Sequence, residues 1–151
     1  ILKLFEHGAK YIAVSSIAAK NRELFTSWLF SYGREKVSLS ADASDGKLLI
    51  KGWQKKTDID LYEFISYFYN RGLKYVKVTD VTRDGTMVGP NFDLYKDLVG
   101  RFPDSKIFAS GGVRSADDIQ KLEDAGVYAV IFGKAFYEGK LTLKDLKTFI
   151  K

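Results

Sequence analysis

The sequence predicts an α/β fold on a parallel sheet, and two observations carry this prediction. Short β-rich runs alternate with amphipathic helical stretches along the chain, which is typical of parallel strands joined by right-handed helical crossovers. In addition, residues 4–18 align without a gap on residues 122–136, at an offset of 118 residues. At about 30 residues for each β/α unit, this offset corresponds to four units, half of an eightfold barrel. We therefore expect a (β/α)8 TIM barrel, although the alternation alone also fits a flavodoxin-like sheet.

Each element has its own local signal. The five expected parallel strands cover residues 11–15, 37–42, 74–79, 106–110 and 128–132, and a short hairpin arm is expected at residues 47–51. Helices are expected at about residues 21–32, 60–70, 91–101 and 115–126 and after Thr142, with Asp60, Ser115 and Thr142 as N-caps and Gly72 as a C-cap. Five strands account for strands 4 to 8 of a barrel. We thus expect residues 1–151 to be one partial TIM-barrel domain whose first β/α units precede residue 1.

Composition excludes several classes of function. The net charge is +5, but basic and acidic residues are interleaved, so we expect a small anionic ligand and no nucleic acid. No apolar run is long enough to cross a membrane. The chain has no cysteine, which is compatible with a cytoplasmic protein. Its one histidine, His7, precedes a helix-ending glycine, so we expect no metal site.

Two glycine motifs follow the last two expected strands. Gly111-Gly112 and Gly133-Lys134 each lie just past a strand, where bare backbone N–H groups can approach an anion closely. The loops after strands 7 and 8 form the common phosphate site of TIM barrels. The alternative is two ordinary strand-to-helix turns. Ser15-Ser16 occupies the position equivalent to Gly133-Lys134 in the internal repeat, and it predicts either a second phosphate site or a helix cap.

Polar residues also end the middle strands. Asp42 closes an otherwise apolar strand, where a carboxylate is a candidate general acid or base, or else a solvated loop residue. Thr79 and Asp80 end the next strand, before a long polar loop at residues 82–91 of a size typical of binding lids. The indole of Trp53, after the hairpin arm, could stack on a flat heterocycle or pack in the core.

Together these motifs resemble the phosphoribosylformimino-5-aminoimidazole carboxamide ribotide isomerase family of histidine biosynthesis. The resemblance runs in order over nearly the whole chain, and in combination the motifs are specific. The matching segments are residues 40–42, 51–53, 79–86, 89–91, 109–113 and 132–139.

The resemblance implies a TIM barrel that catalyses an aldose–ketose (Amadori) isomerisation of a bisphosphorylated aminosugar, ProFAR to PRFAR, without metal or organic cofactor. It implies that Asp42 is the general acid for opening the ribose ring and that Thr79 bonds near the reacting sugar. One phosphate would be held by Gly111, Gly112, Gly133 and Lys134, and part of the other by Ser15 and Ser16. The substrate would be covered by Trp53 and by the loop of Arg83, Asp84, Gly85 and Thr86.

The family's general base lies on the first strand of the barrel, which we expect before residue 1. We therefore expect the 151-residue chain alone to be inactive, and the full-length enzyme to be a monomer. Three alternatives remain open: the cyclase subunit of imidazole glycerol phosphate synthase, an isomerase that also serves tryptophan synthesis, and a non-catalytic phosphate-binding half-barrel.

Overall fold

Seven strands form one mostly parallel sheet in the computed structural model, which describes residues 1–149. The strands are β1 (Ile12–Val14), β2 (Val37–Ser44), β3 (Lys47–Ile50), β4 (Lys55–Asp60), β5 (Tyr75–Asp80), β6 (Lys106–Ser110) and β7 (Ala129–Ile131). The parallel strands lie in the order β1, β2, β5, β6, β7. The predicted α/β fold with five parallel strands is confirmed, and the sheet is consistent with a TIM-barrel family.

A hairpin extends the sheet beside the carboxyl-terminal half of β2. Residues 37–39 of β2 pair with β1, whereas residues 42–44 pair with β3 in the antiparallel sense. The predicted arm at residues 47–51 is β3, and it pairs in turn with β4. The sequence did not predict β4 because all residues of Lys55–Asp60 except Ile59 are polar, so they show no apolar alternation.

Eight helices lie within residues 1–149. They are α1 (Leu2–Glu6), α2 (Ser16–Lys20), α3 (Arg22–Tyr32), α4 (Leu61–Tyr69), α5 (Phe92–Arg101), α6 (Ala116–Asp124), α7 (Lys134–Tyr137) and α8 (Leu143–Leu146). Asp60, Ser115 and Thr142 accept bonds from the first-turn N–H groups, as predicted. Gly72 is not the C-cap of α4, because that position is Asn70; Gly72 follows two residues later with φ +84°.

Burial of one apolar face of α4 against the sheet stabilises the fold. In α4, Leu61, Phe64, Ile65 and Phe68 repeat at the helical period, and all are at most 1% exposed. The ring of Phe68 meets that of Phe25 on α3 edge to face, with centroids 4.8 Å apart. These aromatic contacts fix α3 and α4 side by side on β2.

Alternation along the strands divides the sheet into an apolar face and a polar face. The face under the helices carries Leu39, Val76, Val78, Ile107 and Ala109. The opposite face, called the inner face here, carries Ser40, Asp42, Lys77, Thr79, Phe108 and Ser110. The inner face therefore presents the polar side chains of the predicted active site.

A buried tyrosine on α5 clamps the carboxyl ends of β5 and β6. The Tyr95 hydroxyl accepts from the Ser110 N–H at 3.2 Å and lies within bonding distance of the carbonyl oxygens of Ser110 and Val78. Burial raises the pKa of this hydroxyl, so it stays protonated and can donate to one of the two carbonyls. The clamp fixes the point at which β6 passes into the Gly111-Gly112 loop.

Tyr95→Phe should lower the free energy of unfolding by about 1–3 kcal/mol, because it leaves a buried N–H and carbonyl groups without their partner. The matched control is Tyr69→Phe, whose hydroxyl donates to Asp104 at the surface; it should change the free energy by less than about 0.5 kcal/mol. Urea denaturation of the two variants measures the difference. Equal losses would contradict a clamp at Tyr95.

Candidate active site

One row of side chains crosses the inner face at the carboxyl ends of the strands. The pairing register aligns Asp42 with Thr79, Thr79 with Ser110, and Ser110 with Ile131. Paired residues of parallel strands point to the same face, and neighbouring strands lie about 4.8 Å apart. Asp42 is therefore about 10 Å from Ser110 along the row.

Two side chains contact the carboxylate of Asp42. The ammonium of Lys77 on β5 forms an ion pair with Oδ1 at 3.2 Å, although Oδ1 has no hydrogen-bond partner within residues 1–149. The indole Nε1–H of Trp53 donates to Oδ2 at 2.9 Å. The side chain of Asp42 is only 15% exposed. The structure thus brings Asp42 and Trp53 together, and Asp42 is not a freely solvated loop residue.

A tight turn between β3 and β4 carries Trp53 to this position. Lys51, Gly52 and Trp53 have φ angles of +57°, +62° and +68°, a left-handed run that costs non-glycine residues about 1–2 kcal/mol each. The Lys51 N–H donates to the Ser16 hydroxyl at 2.9 Å, which anchors the turn to the start of α2. Trp53 is 43% exposed, so its indole covers Asp42 from the solvent side and is not part of the core.

Thr79 lies at the centre of the row, between Asp42 and Ser110. It is 2% exposed, and its hydroxyl has no hydrogen-bond partner among residues 1–149. A buried hydroxyl without a partner leaves bonding capacity unused. This hydroxyl therefore has unused hydrogen-bonding capacity at the centre of the row.

A cleft of about 230 Å³ adjoins the row at the ends of β6 and β7. It is lined by Asp84, Gly85, Met87, Ser110, Gly111, Gly112, Val113, Ile131, Phe132, Gly133 and Lys134. Both predicted glycine motifs meet in this cleft, together with part of the loop at residues 82–91. The sequence-based grouping of these residues agrees with this geometry.

Gly111 and Gly112 are required by close backbone approach. Their φ angles are +106° and +82°, and an added Cβ would lie 2.5 Å from the carbonyl oxygen of Asp80 or of Gly89, respectively. Gly133 differs, because its φ is negative and the nearest atom to an added Cβ is 3.9 Å away on Tyr137. The site of Gly133 is therefore sterically open.

Internal bonds shape the loop between β5 and α5. The Asp80 carboxylate accepts from the Thr82 N–H at 3.0 Å and from the Asn91 side chain at 2.9 Å, which joins the two ends of the loop. Arg83 donates to the Gly89 carbonyl at 3.4 Å, and Thr86 donates to the Arg83 carbonyl at 2.6 Å. Of the four predicted covering residues, Asp84 and Gly85 line the cleft, whereas Arg83 and Thr86 bond within the loop.

Lys134 connects this loop to β7. Its ammonium donates to the Gly85 carbonyl at 2.8 Å and lies 3.8 Å from Glu138. In this arrangement, the side chain closes one wall of the cleft. A phosphate would have to compete with the Gly85 carbonyl for it.

Ser15 and Ser16 lie at the carboxyl end of β1, which is at the opposite edge of the parallel strands from β7. The turn from β1 into α2 matches the turn from β7 into α7: Ser15 has φ −112° and ψ −102°, and Gly133 has φ −135° and ψ −70°. This agreement supports the internal repeat. Ser15 lines the same shallow hollow as Asp42, whereas the Ser16 hydroxyl accepts from Lys51.

Three residues that shape the site were not predicted from the sequence. Lys77 was overlooked, although a lysine two residues before Thr79 on one strand must share its face. Tyr95 carried no sequence signal as a clamp. Arg114 was missed too: it bonds the buried Asp118 at 3.2 Å and the Val88 carbonyl at 3.2 Å, so it links the loops after β5 and β6.

Within residues 1–149, no group of three or more His, Cys, Asp or Glu residues could hold a metal ion. No helix in that part of the chain is long and apolar enough to cross a membrane.

The fold and the cleft define an α/β protein that carries its candidate functional side chains at the carboxyl ends of parallel strands. Comparison with known sequences gives the family. The model of the family described as "Histidine biosynthesis protein" matches residues 1–142, and the chain belongs to this family.

Curated relatives are similar over almost the whole chain. A protein of Parabacteroides distasonis is 50% identical over 145 residues, 96% of this chain. Proteins of Bacteroides thetaiotaomicron and Flavobacterium johnsoniae are 45% and 44% identical over 146 residues, 97% of this chain. Each is named a 1-(5-phosphoribosyl)-5-((5-phosphoribosylamino)methylideneamino) imidazole-4-carboxamide isomerase. The chain spans 61% of the length of each of these relatives.

Gly112→Ala should distort the cleft and destabilise the protein by about 1–3 kcal/mol, because its Cβ would overlap the Gly89 carbonyl oxygen in a backbone conformation unfavourable for alanine. Gly133→Ala is the matched control and should change the free energy of unfolding by less than about 0.5 kcal/mol, since its site is sterically open. Denaturant titration of both variants tests the contrast. A Gly112→Ala variant as stable as the control would show that the two loops can move apart without loss.

Proposed function

We propose that the protein carrying this chain is an isomerase of histidine biosynthesis that converts ProFAR to PRFAR by an aldose–ketose (Amadori) rearrangement. The observation that carries the proposal is the row from Asp42 through Thr79 to the glycine-lined cleft. A carboxylic acid thereby lies one strand from an unpartnered hydroxyl and two strands from an anion-sized cleft. The names of the relatives agree with this chemistry.

Asp42 is proposed as the general acid. Opening of the ribose ring requires a proton at the ring oxygen as its bond to carbon breaks, and a largely buried carboxyl group at a strand end can deliver it. The Thr79 hydroxyl, free of protein partners within residues 1–149, would hold the sugar against Asp42. Trp53, now bonded to Asp42, would cover the substrate.

Two phosphate sites would fix the sugar between them. The first is the cleft, where backbone N–H groups of Gly111, Gly112 and Gly133 offer donors. The second lies at Ser15 and Ser16, where the matching backbone turn supports a related site. β1 and β7 are four strand steps apart, about 19 Å along the curved sheet. A bisphosphate spanning them would bring its central carbons over Asp42 and Thr79.

The proposed function also requires a complete barrel and a general base. The five parallel strands would be strands 4 to 8 of a TIM barrel, and the base that removes the proton from C2 would come from another strand of that barrel. Proton transfers of this kind need only side chains. We therefore propose an enzyme without metal or organic cofactor. We also propose that it acts as a cytoplasmic monomer on a small bisphosphate and does not bind nucleic acid.

Asp42→Asn in the natural protein should lower kcat by about 10²-fold or more, because the amide keeps the shape but cannot supply the proton. KM should stay within a few-fold, since the phosphate contacts are untouched. The measurement is steady-state isomerisation of ProFAR. Asp45→Asn is the matched control, because Asp45 lies at the nearby exposed turn and pairs with Lys56. More than about a third of the normal kcat in Asp42→Asn would overturn the acid role.

Gly133→Val should weaken phosphate binding more than Lys134→Ala does. Gly133 lines the cleft, so a branched side chain at this residue should block approach of an anion to the backbone amides. Lys134, by contrast, is half-exposed and already bonds the Gly85 carbonyl, so its charge is largely screened. Titration with inorganic phosphate and with substrate compares the two variants at equal folded fraction. The reverse ranking would show that the lysine, not the backbone, binds the anion.

A further inference from the structure

Lys77 occupies a position where an aliphatic residue would pack more easily. Its neighbours Val76 and Val78 are both fully buried on the helix-covered face. On the inner face, its register partners are Ser40 on β2 and Phe108 on β6. A lysine in the middle of a central strand is disfavoured, so a compensating interaction is expected.

That interaction is with Asp42. The ammonium lies 3.2 Å from Oδ1, and the two side chains are 30% and 15% exposed. Among residues 1–149, Asp42 is the only acidic residue within ion-pair distance of Lys77. At this degree of burial, the pair is screened less than a surface pair.

Lys77 and Trp53 approach Asp42 from different elements. Lys77 comes from a central strand that is paired on both sides, whereas Trp53 comes from an exposed turn. Lys77 pairs ionically with Oδ1 and Trp53 donates a hydrogen bond to Oδ2, so the two contacts restrain both oxygens of the carboxylate. If a substrate displaced the indole, Lys77 would remain as the contact that holds the carboxylate.

We propose that Lys77 is a positioning residue that holds the carboxyl group of Asp42 in the row with Thr79 and Ser110. The proposal rests on the isomerase function proposed above and adds a residue to it. Lys77 acts through Asp42 and does not contact the substrate. Loss of its contact should therefore change the turnover rate and leave substrate affinity nearly unchanged, because a small misplacement of a reacting group is costly in rate.

The first test is a double-mutant cycle on the natural protein. Lys77→Met should lower kcat by about 10-fold or more with KM within a few-fold, and Lys77→Arg, which keeps the charge, should restore most of the loss. In an Asp42→Asn background, Lys77→Met should have little further effect, since the group it positions no longer works. Lys74→Met is the matched control, because Lys74 pairs with Glu35 at 2.7 Å, outside the row.

Three results of this cycle would overturn the proposal. They are a Lys77→Met variant within about threefold of the normal kcat, a loss confined to KM, and an equal loss in the Asp42→Asn background. A loss confined to KM would assign Lys77 to substrate binding, and an equal loss in the Asp42→Asn background would assign it to the general structure of the sheet.

The second test does not use activity. Residues 1–151 contain two tryptophans, so Trp28→Phe leaves Trp53 as the single indole reporter within this part of the protein. Asp42→Ala removes the carboxylate that accepts the indole N–H of Trp53. The fluorescence of this variant therefore defines the signal of a Trp53 indole without its hydrogen bond. If Lys77 holds Asp42, Lys77→Met should shift Trp53 emission and acrylamide quenching toward the Asp42→Ala values, and Lys74→Met should not.

The two tests separate the proposals. Absence of ProFAR isomerisation by the unsubstituted protein would refute the proposed function, while the fluorescence response would still report on Lys77. A Trp53 signal that is unchanged in Lys77→Met but changed in Asp42→Ala would refute the positioning role, whatever the activity.

Discussion

The parallel register of β2, β5 and β6 is the constraint on which the candidate active site depends. It aligns Asp42, Thr79 and Ser110 in one row at the edge of the sheet. Because strand periodicity is two, a shift of one residue in β5 would turn Thr79 and Lys77 toward the helices and bring Val76 and Val78 to the inner face. Apolar burial on the helix-covered face opposes that shift. The packing of the core thereby sets the geometry of the polar residues that lie on the other side.

Contacts behind the row make its surroundings rigid. Tyr95 holds the end of β6 from the buried side, and Asp80 joins the two ends of the loop that follows β5. Arg114 adds a link between that loop and the start of α6. A site whose donors are already in place loses little free energy to reordering when a ligand binds. The candidate cleft is therefore built by the protein before any anion enters.

Sequence reasoning predicted the parallel strands, the long helices and the cleft, because each has a local signal. Asp60 and Ser115 mark helix starts, and paired glycines mark strand ends. It missed β4, since Lys55–Asp60 lacks apolar alternation, and it misplaced the end of α4 at Gly72. Contacts between distant residues were also missed: nothing local to Lys77 shows that its ammonium reaches Asp42 across to β2, and nothing local to Trp53 shows which residue accepts its N–H.

The contact between Gly89 and Gly112 has a consequence for how this protein can change. The two loops touch so closely that a Cβ on Gly112 would overlap the Gly89 carbonyl, and the Gly89 N–H donates to the Gly112 carbonyl at 3.0 Å. Neither loop can therefore be exchanged by itself. A loop grafted from another α/β protein would have to bring both partners of this contact, so the two segments should be inherited, and engineered, as one unit.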